Sequence, residues 1–299
     1  MEPDSKACSH AISNRRVMKK VRGAFFMLLL SLPFFAPRAF SLDFSEYENS
    51  VLQEAFRVRL EARKFSSNSE SLKFVRNSRA EILSESVMEK ISDEAKITFE
   101  NFFVWEEFHF LWEENPDDDA AWKLLENQYK KCMQYSAAHL DEEKNIYHSL
   151  SAMELSNSYM PKLKFSDVVK IGLEEKKFYD SLIENKSANC TTYFNAALWY
   201  HFAPAIGGGS ESKAEKYFAE ALKTASTNYE KFFANFYFSQ FEFDRGEKAS
   251  FEKYFSAAEE ILPESGFLEF ARKLNNAGFS YLEYTKNRDK VEKSLGRKQ

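Results

Sequence analysis

From Leu42 onward the apolar residues recur every three or four positions. Val104, Phe108, Leu111 and Trp112 form one such run, and Trp122, Leu125, Tyr129, Cys132 and Met133 form the next, each marking one face of an α-helix. No stretch alternates apolar and polar residues as a half-buried strand would. Capping boxes, in which a Ser or Thr hydroxyl serves the first turn and a Glu three residues on bonds back, predict helix starts at Ser45/Glu48, Ser67/Glu70, Ser212/Glu215 and Thr227/Glu230. Breaks fall at Asn115-Pro116-Asp117, Met160-Pro161, Gly207 to Gly209, Gly246 and Pro263. The pattern predicts an all-α chain of about a dozen helices joined by short loops.

Two helices repeat one another. KAEKYFAEALKTA (213–225) and SFEKYFSAAEEIL (250–262) share five of thirteen positions at an offset of 37 residues. Both carry an apolar stripe, through Ala214, Tyr217, Phe218 and Ala221 in the first and Phe251, Phe255, Ala258 and Leu262 in the second. An aromatic helix precedes each, so the repeating unit is a helix pair. A period near this length with two helices per unit resembles the tetratricopeptide solenoid. Trp122, Leu125 and Tyr129 match the first helix of its pattern, with Pro116 before them; Ala214, Phe218 and Ala221 match the second. Glu126 and Phe251 depart from it, standing where small residues are usual. The expected fold is a tetratricopeptide-like solenoid of antiparallel helix pairs. Residues 42–160 would form degenerate repeats, and 161–299 the clearer pairs with a terminal capping helix.

The order of features over residues 165–285 is similar to the T-component of tripartite ATP-independent periplasmic (TRAP) transporters. It runs from an aromatic helix (TTYFNAALWYHFAPAI) through a glycine loop (GGGSES) to KAEKYFAEALK, a second aromatic helix and the turn DRGEKASF. That resemblance implies an exported, non-enzymatic helical protein that forms homo-oligomers and associates with a periplasmic substrate-binding protein, handing over a small hydrophobic ligand. Members are commonly lipid-anchored, and no cysteine stands here at the expected anchor position. The alternative is an envelope scaffold that binds protein segments and takes no part in transport.

The first 41 residues differ in chemistry. Arg15, Arg16, Lys19, Lys20 and Arg22 precede the apolar run from Ala24 to Ala36, and Ala39 and Ser41 suit a small-residue cleavage pocket. This is the layout of a secretory signal peptide, with cleavage expected between Ser41 and Leu42 and Met18 as a competing start. The apolar run is too short, and too interrupted by Pro33, to span a bilayer. Without residues 1–41 the chain keeps 34 basic and 44 acidic side chains, a formal charge of −10. Nucleic acid is therefore not an expected partner. Cys132 and Cys190 remain, 58 residues apart, with their pairing open.

Candidate chemistry is sparse. At GGGSESK the phosphate-loop pattern fails, because Ser212 replaces its second glycine and Ala214 its hydroxyl; the dinucleotide fingerprint lacks both its third glycine and its strand. The glycines are read as a helix-ending turn, with Ser212 capping the next helix. His109, His139, His148 and His201 form no metal-ligand spacing, and no metal or cofactor is expected. His109, between Phe108 and Phe110, reads as a histidine at the edge of the core. The tetratricopeptide register implies ligand or partner contacts from the first helices of each pair. It nominates Lys123, Asn127 and Lys130 for a peptide carboxylate, and Phe233, Phe236 and Gln240 for an apolar groove.

Overall fold

The structure, a computed structural model, describes residues 40–41, 44–139, 142 and 144–296. Residues 1–39 of the expected signal segment, and Leu42 after its expected cut, lie outside the described residues. Thirteen α-helices account for most of the described chain. They are α1 (Glu46–Glu61), α2 (Asn68–Ile82), α3 (Glu85–Met88), α4 (Asp93–Glu114), α5 (Asp119–Ala138), α6 (Ile146–Tyr159) and α7 (Phe165–Glu184). Then follow α8 (Cys190–Phe202), α9 (Glu211–Thr224), α10 (Asn228–Asp244), α11 (Lys248–Ile261), α12 (Gly266–Asn276) and α13 (Tyr281–Ser294). Phe40–Ser41 (β1) pairs in parallel with Lys144–Asn145 (β2). The fold is all-α.

Two helices are apolar nearly all round, which forces them inside. In α4 the run NFFVWEEFHFLW leaves little polar surface, and α1, α2, α5 and α6 pack around it. In α10 the run FFANFYFSQFEF does the same, and α1, α8, α9, α11 and α13 surround it. Polar atoms within these cores are matched. Asn101 donates to Ser151 Oγ at 3.0 Å and accepts from Gln128 Nε2 at 2.7 Å, tying α4 to α5 and α6. Arg76 and Arg79 of α2 grip Glu107 of α4 at 2.8 and 2.7 Å.

The helix pairs read from the repeat are present. Phe243 meets Phe251, and Phe238 stacks on Tyr254 at 4.3 Å, so α10 and α11 run antiparallel. His201 meets Glu211 while Tyr193 meets Tyr217, which sets α8 against α9 likewise. Ala214, Phe218 and Ala221 are buried, as are Phe251, Phe255 and Ala258. In an open solenoid each unit touches only its neighbours. Here α12 and α13 instead return to α1 and α4. Ser265 Oγ donates to the Arg63 carbonyl at 2.6 Å, Gly266 N to the Lys64 carbonyl at 3.1 Å, and Phe267 N to the Arg63 carbonyl at 3.3 Å. Spare carbonyls after one helix thus receive spare N–H groups starting another. One apolar cluster runs from Phe44 to Val291, so the core is continuous across residue 160.

The caps at Ser45 and Thr227 form full capping boxes. Ser67 accepts from Glu70 N, but its hydroxyl donates to the Glu70 carboxylate, which leaves the return bond unmade. Ser212 is not a cap. Helix α9 starts at Glu211, one residue after Ser210, and Ser210 Oγ accepts from Lys213 N at 3.3 Å, while Ser212 sits inside the first turn. The glycines before it do end a turn: Gly208 has φ +98°, and a Cβ on Gly209 would stand 1.8 Å from the Ala203 carbonyl.

Candidate functional site

The six residues nominated from the repeat register fall into two environments. Lys123, Asn127 and Lys130 line one exposed face of α5, with Lys130 Nζ 2.6 Å from Glu126. Phe233, Phe236 and Gln240 lie in the core. Phe236 packs against Phe267 and Tyr281, with ring centroids 4.7 and 5.4 Å away. Gln240 exchanges hydrogen bonds with Asn275 and accepts from Tyr281 N at 2.8 Å, tying α10 to α12 and α13. At Phe236 and Gln240 the place of a groove is taken by α12 and α13, while Phe233 packs against Tyr229 and Tyr237 of its own helix beneath the Arg63 guanidinium.

A cavity of about 370 Å³ lies where the loop between α1 and α2, the start of α2, α4, α12 and α13 converge, within the range for small-molecule sites. Its wall mixes aromatic rings, Phe110 from α4, Phe267 and Phe270 from α12, and Tyr281 and Tyr284 from α13, with polar side chains in about equal measure. Exposed Ser66, Ser67 and Glu114 border it. The polar groups behind the wall come from sequence-distant helices.

Arg59 on α1 and Arg63 in the turn that follows it both face Glu106 of α4. Arg59 Nε is 2.7 Å from Oε1, and Arg63 reaches Oε2 at 2.7 Å and Oε1 at 3.1 Å. Arg59 also bonds Glu154 at 3.1 Å. These charges are out of water, with Arg59 4%, Arg63 3% and Glu106 0% exposed. Burial opposes ionisation of Glu106, yet Arg63 and Arg59 overcome it and hold the carboxyl below its usual range. At Glu154 burial prevails over Arg59, and the carboxyl is raised. The guanidinium of Arg59 lies over Trp105 at 4.9 Å, and that of Arg63 over Phe110 at 5.0 Å.

At the other wall, Arg288 of α13 donates to Glu292 at 2.9 Å and to the carbonyls of Trp112 and Glu113 at 2.7 and 2.8 Å, which closes the C-terminal end of α4. Tyr284 donates its hydroxyl to Glu113 Oε2 at 2.9 Å. Two atoms of cavity-lining residues are buried without a partner among the described residues, Glu113 Oε1 and Arg63 Nε. Burial raises the Glu113 carboxyl despite Arg288 and Tyr284. His109 stacks on Trp105 at 5.3 Å, and burial together with Arg63 pushes its imidazole down to about 3, so it lines the cavity as a neutral ring. It belongs to the core edge, and also to this site.

Arg63, Glu106, Glu113, Tyr284 and Arg288 were not nominated from the sequence. The available signal was acidic residues inside the aromatic run of α4, where Glu106 and Glu107 sit among Phe and Trp with no local cation. Among the described residues no group of His, Cys, Asp and Glu is placed to hold a metal, Cys132 and Cys190 are buried free thiols, and no helix is long and apolar enough to cross a membrane. Comparisons with protein-family models, with curated proteins and with solved structures find no match to the chain.

Proposed function

We propose that this is an exported, non-enzymatic ligand-binding helical protein of tetratricopeptide-like build. In this reading the cavity between the α1–α2 loop, α4, α12 and α13 holds a small, largely apolar molecule. The protein acts beside the substrate-binding protein of a TRAP-type transporter in the periplasm. The observation that carries the binding role is the partly aromatic cavity with two unpartnered polar atoms in its lining residues, since buried polar groups ordinarily have partners. The transport role rests on the similarity of residues 165–285 to the T-component. Native mass spectrometry of the full chain, before and after organic extraction, tests the first part. A retained species of a few hundred daltons that extraction removes supports it; an empty protein that also fails to bind an apolar fluorescent probe sinks it.

The scaffold reading draws on a different observation, the exposed column Lys123, Asn127 and Lys130 on α5. Crosslinking in the envelope, with native protein and with the K123E/K130E double variant, separates the two. Loss of a solute-binding partner in the variant joins the column to transport, whereas loss of an assembly or cell-wall partner favours the scaffold.

A further inference from the structure

We propose that the cavity takes an organic ammonium, its protonated amine against Glu113 beside Tyr284 and Phe270 and its apolar body along the remaining aromatic rings. This rests on the reading above that the cavity is a ligand site.

The argument is one of charge. The ionisable groups facing the cavity are Arg63 from the turn after α1, His109, Glu113 and Glu114 from α4, and Tyr281, Tyr284, Arg288 and Glu292 from α13. Arg63 contributes no free positive charge, because two of its nitrogens bond Glu106, and Arg59, Arg63, Glu106 and Glu154 form a set of two cations and two carboxylates. Arg288 is held by Glu292 and two backbone carbonyls, and its Nη1 stands 3.9 Å from the Glu113 carboxylate, beyond hydrogen-bond reach. Glu113 and Glu292 therefore share the one cation Arg288, and Glu113 is the more distant partner of the two. Oε2 accepts from Tyr284, while Oε1 lies just behind the cavity wall with no donor among the described residues, so a small turn of the carboxylate presents it to a ligand.

Such a group stays neutral by keeping a proton or becomes paired by gaining a cation. An ammonium satisfies it twice, through charge and through N–H donors, and the faces of Phe270, Tyr281 and Tyr284 attract the same cation. A carboxylate ligand would meet Glu113, Glu292 and Glu114, with the fork of Arg63 already occupied. Arg63 Nε, the second unpartnered atom, suits a neutral acceptor such as a hydroxyl or carbonyl oxygen on the same molecule.

The test uses the full chain and three probes of similar shape, 3-phenylpropylamine, 3-phenylpropanol and 3-phenylpropionate, titrated calorimetrically near neutral pH. The amine is expected to bind about tenfold or more tightly than the alcohol, as a charge-assisted contact in a dry site would give, and the acid weakest. In E113Q the amine should fall to the level of the alcohol while the alcohol is unchanged. If alcohol and amine bind alike, or the acid binds best, the ammonium inference fails while the cavity remains a ligand site. A preference for amine that persists in E113Q overturns the role of Glu113. If none of the three binds, the ligand-site reading fails and the inference with it. The comparison among probes on the native chain stands even if the variant does not fold.

Discussion

Arg63 and Glu106 meet through two hydrogen bonds, 2.7 and 3.1 Å long, with neither side chain in contact with bulk water. Removing one member of such a pair strands the other. Glu106→Ala leaves Arg59 and Arg63 buried side by side, and a loss of about 3–5 kcal/mol is expected. Denaturant unfolding of the variant, with an unchanged slope and a lower midpoint, is the measurement; a loss under about 1 kcal/mol would show that the pair is not what holds α1 to α4.

Gly266 leaves no room for a side chain where α12 meets the loop after α1. A Cβ there would lie 2.3 Å from the Phe65 carbonyl and 2.7 Å from the Ser66 Cα, both backbone atoms that cannot step aside cheaply. Gly266→Ala should cost about 2 kcal/mol or more through displaced backbone and lost bonds to Lys64 and Arg63. Thermal unfolding reads this as a lower midpoint, and because the junction borders the cavity, any ligand affinity should drop in the same variant.

Glu175 of α7 is buried and has no cation among its influences; burial pushes its carboxyl up to about 8 against a hydrogen bond from Asn157. Between its ordinary value of 4.5 and about 8 the folded chain keeps a proton that the unfolded chain gives up. Stability from this group is therefore complete below pH 4.5 and declines as pH rises toward 8. Glu175→Gln mimics the protonated form. It should raise stability at pH 8 by on the order of 3 kcal/mol and leave pH 5 nearly unchanged, as paired denaturation curves would reveal.

His148 acts in the opposite direction. Burial, with Lys144 adding to it, lowers its imidazole to about 4, and its Nδ1 pairs with Thr98 Oγ1 at 3.2 Å. From its ordinary 6.5 down to about 4 the unfolded chain binds a proton that the folded chain refuses. Stability from this group is full above pH 6.5 and falls as pH drops through that window. His148→Phe keeps the ring contact with Tyr135 and removes the proton site. The difference between stability at pH 7 and at pH 4.5 should shrink by on the order of 2 kcal/mol; an unaltered difference would show that His148 is protonated in the fold.

The helices were legible because their signals are local. The boxes at Ser45 and Thr227 and the stripe through Ala214, Phe218 and Ala221 each need only the next few residues to be read. Ser210 and Ser212 show the limit, since two hydroxyls lie within reach of one helix start and only the position of the first turn chooses between them. Phe233, Phe236 and Gln240 show a related limit. Their register on α10 defines a face, but which neighbour covers that face depends on where α12 and α13 return. The cavity was illegible because Arg63, Glu113 and Arg288 are far apart in the chain. No spacing rule joins them, and the one clue is the unaccompanied acids in α4.

The bonds joining Ser265, Gly266 and Phe267 to the Arg63 and Lys64 carbonyls also set a timetable for the nascent chain. The Ser265 contact spans 202 residues, which a ribosome adding about 5–20 residues per second covers in roughly 10–40 s. Throughout that interval the Arg63 and Lys64 carbonyls lack their final partners, and the Arg63 guanidinium lacks the Phe267 ring it lies over. The turn after α1 is thus made early and completed late, and a stop anywhere before residue 265 leaves it open.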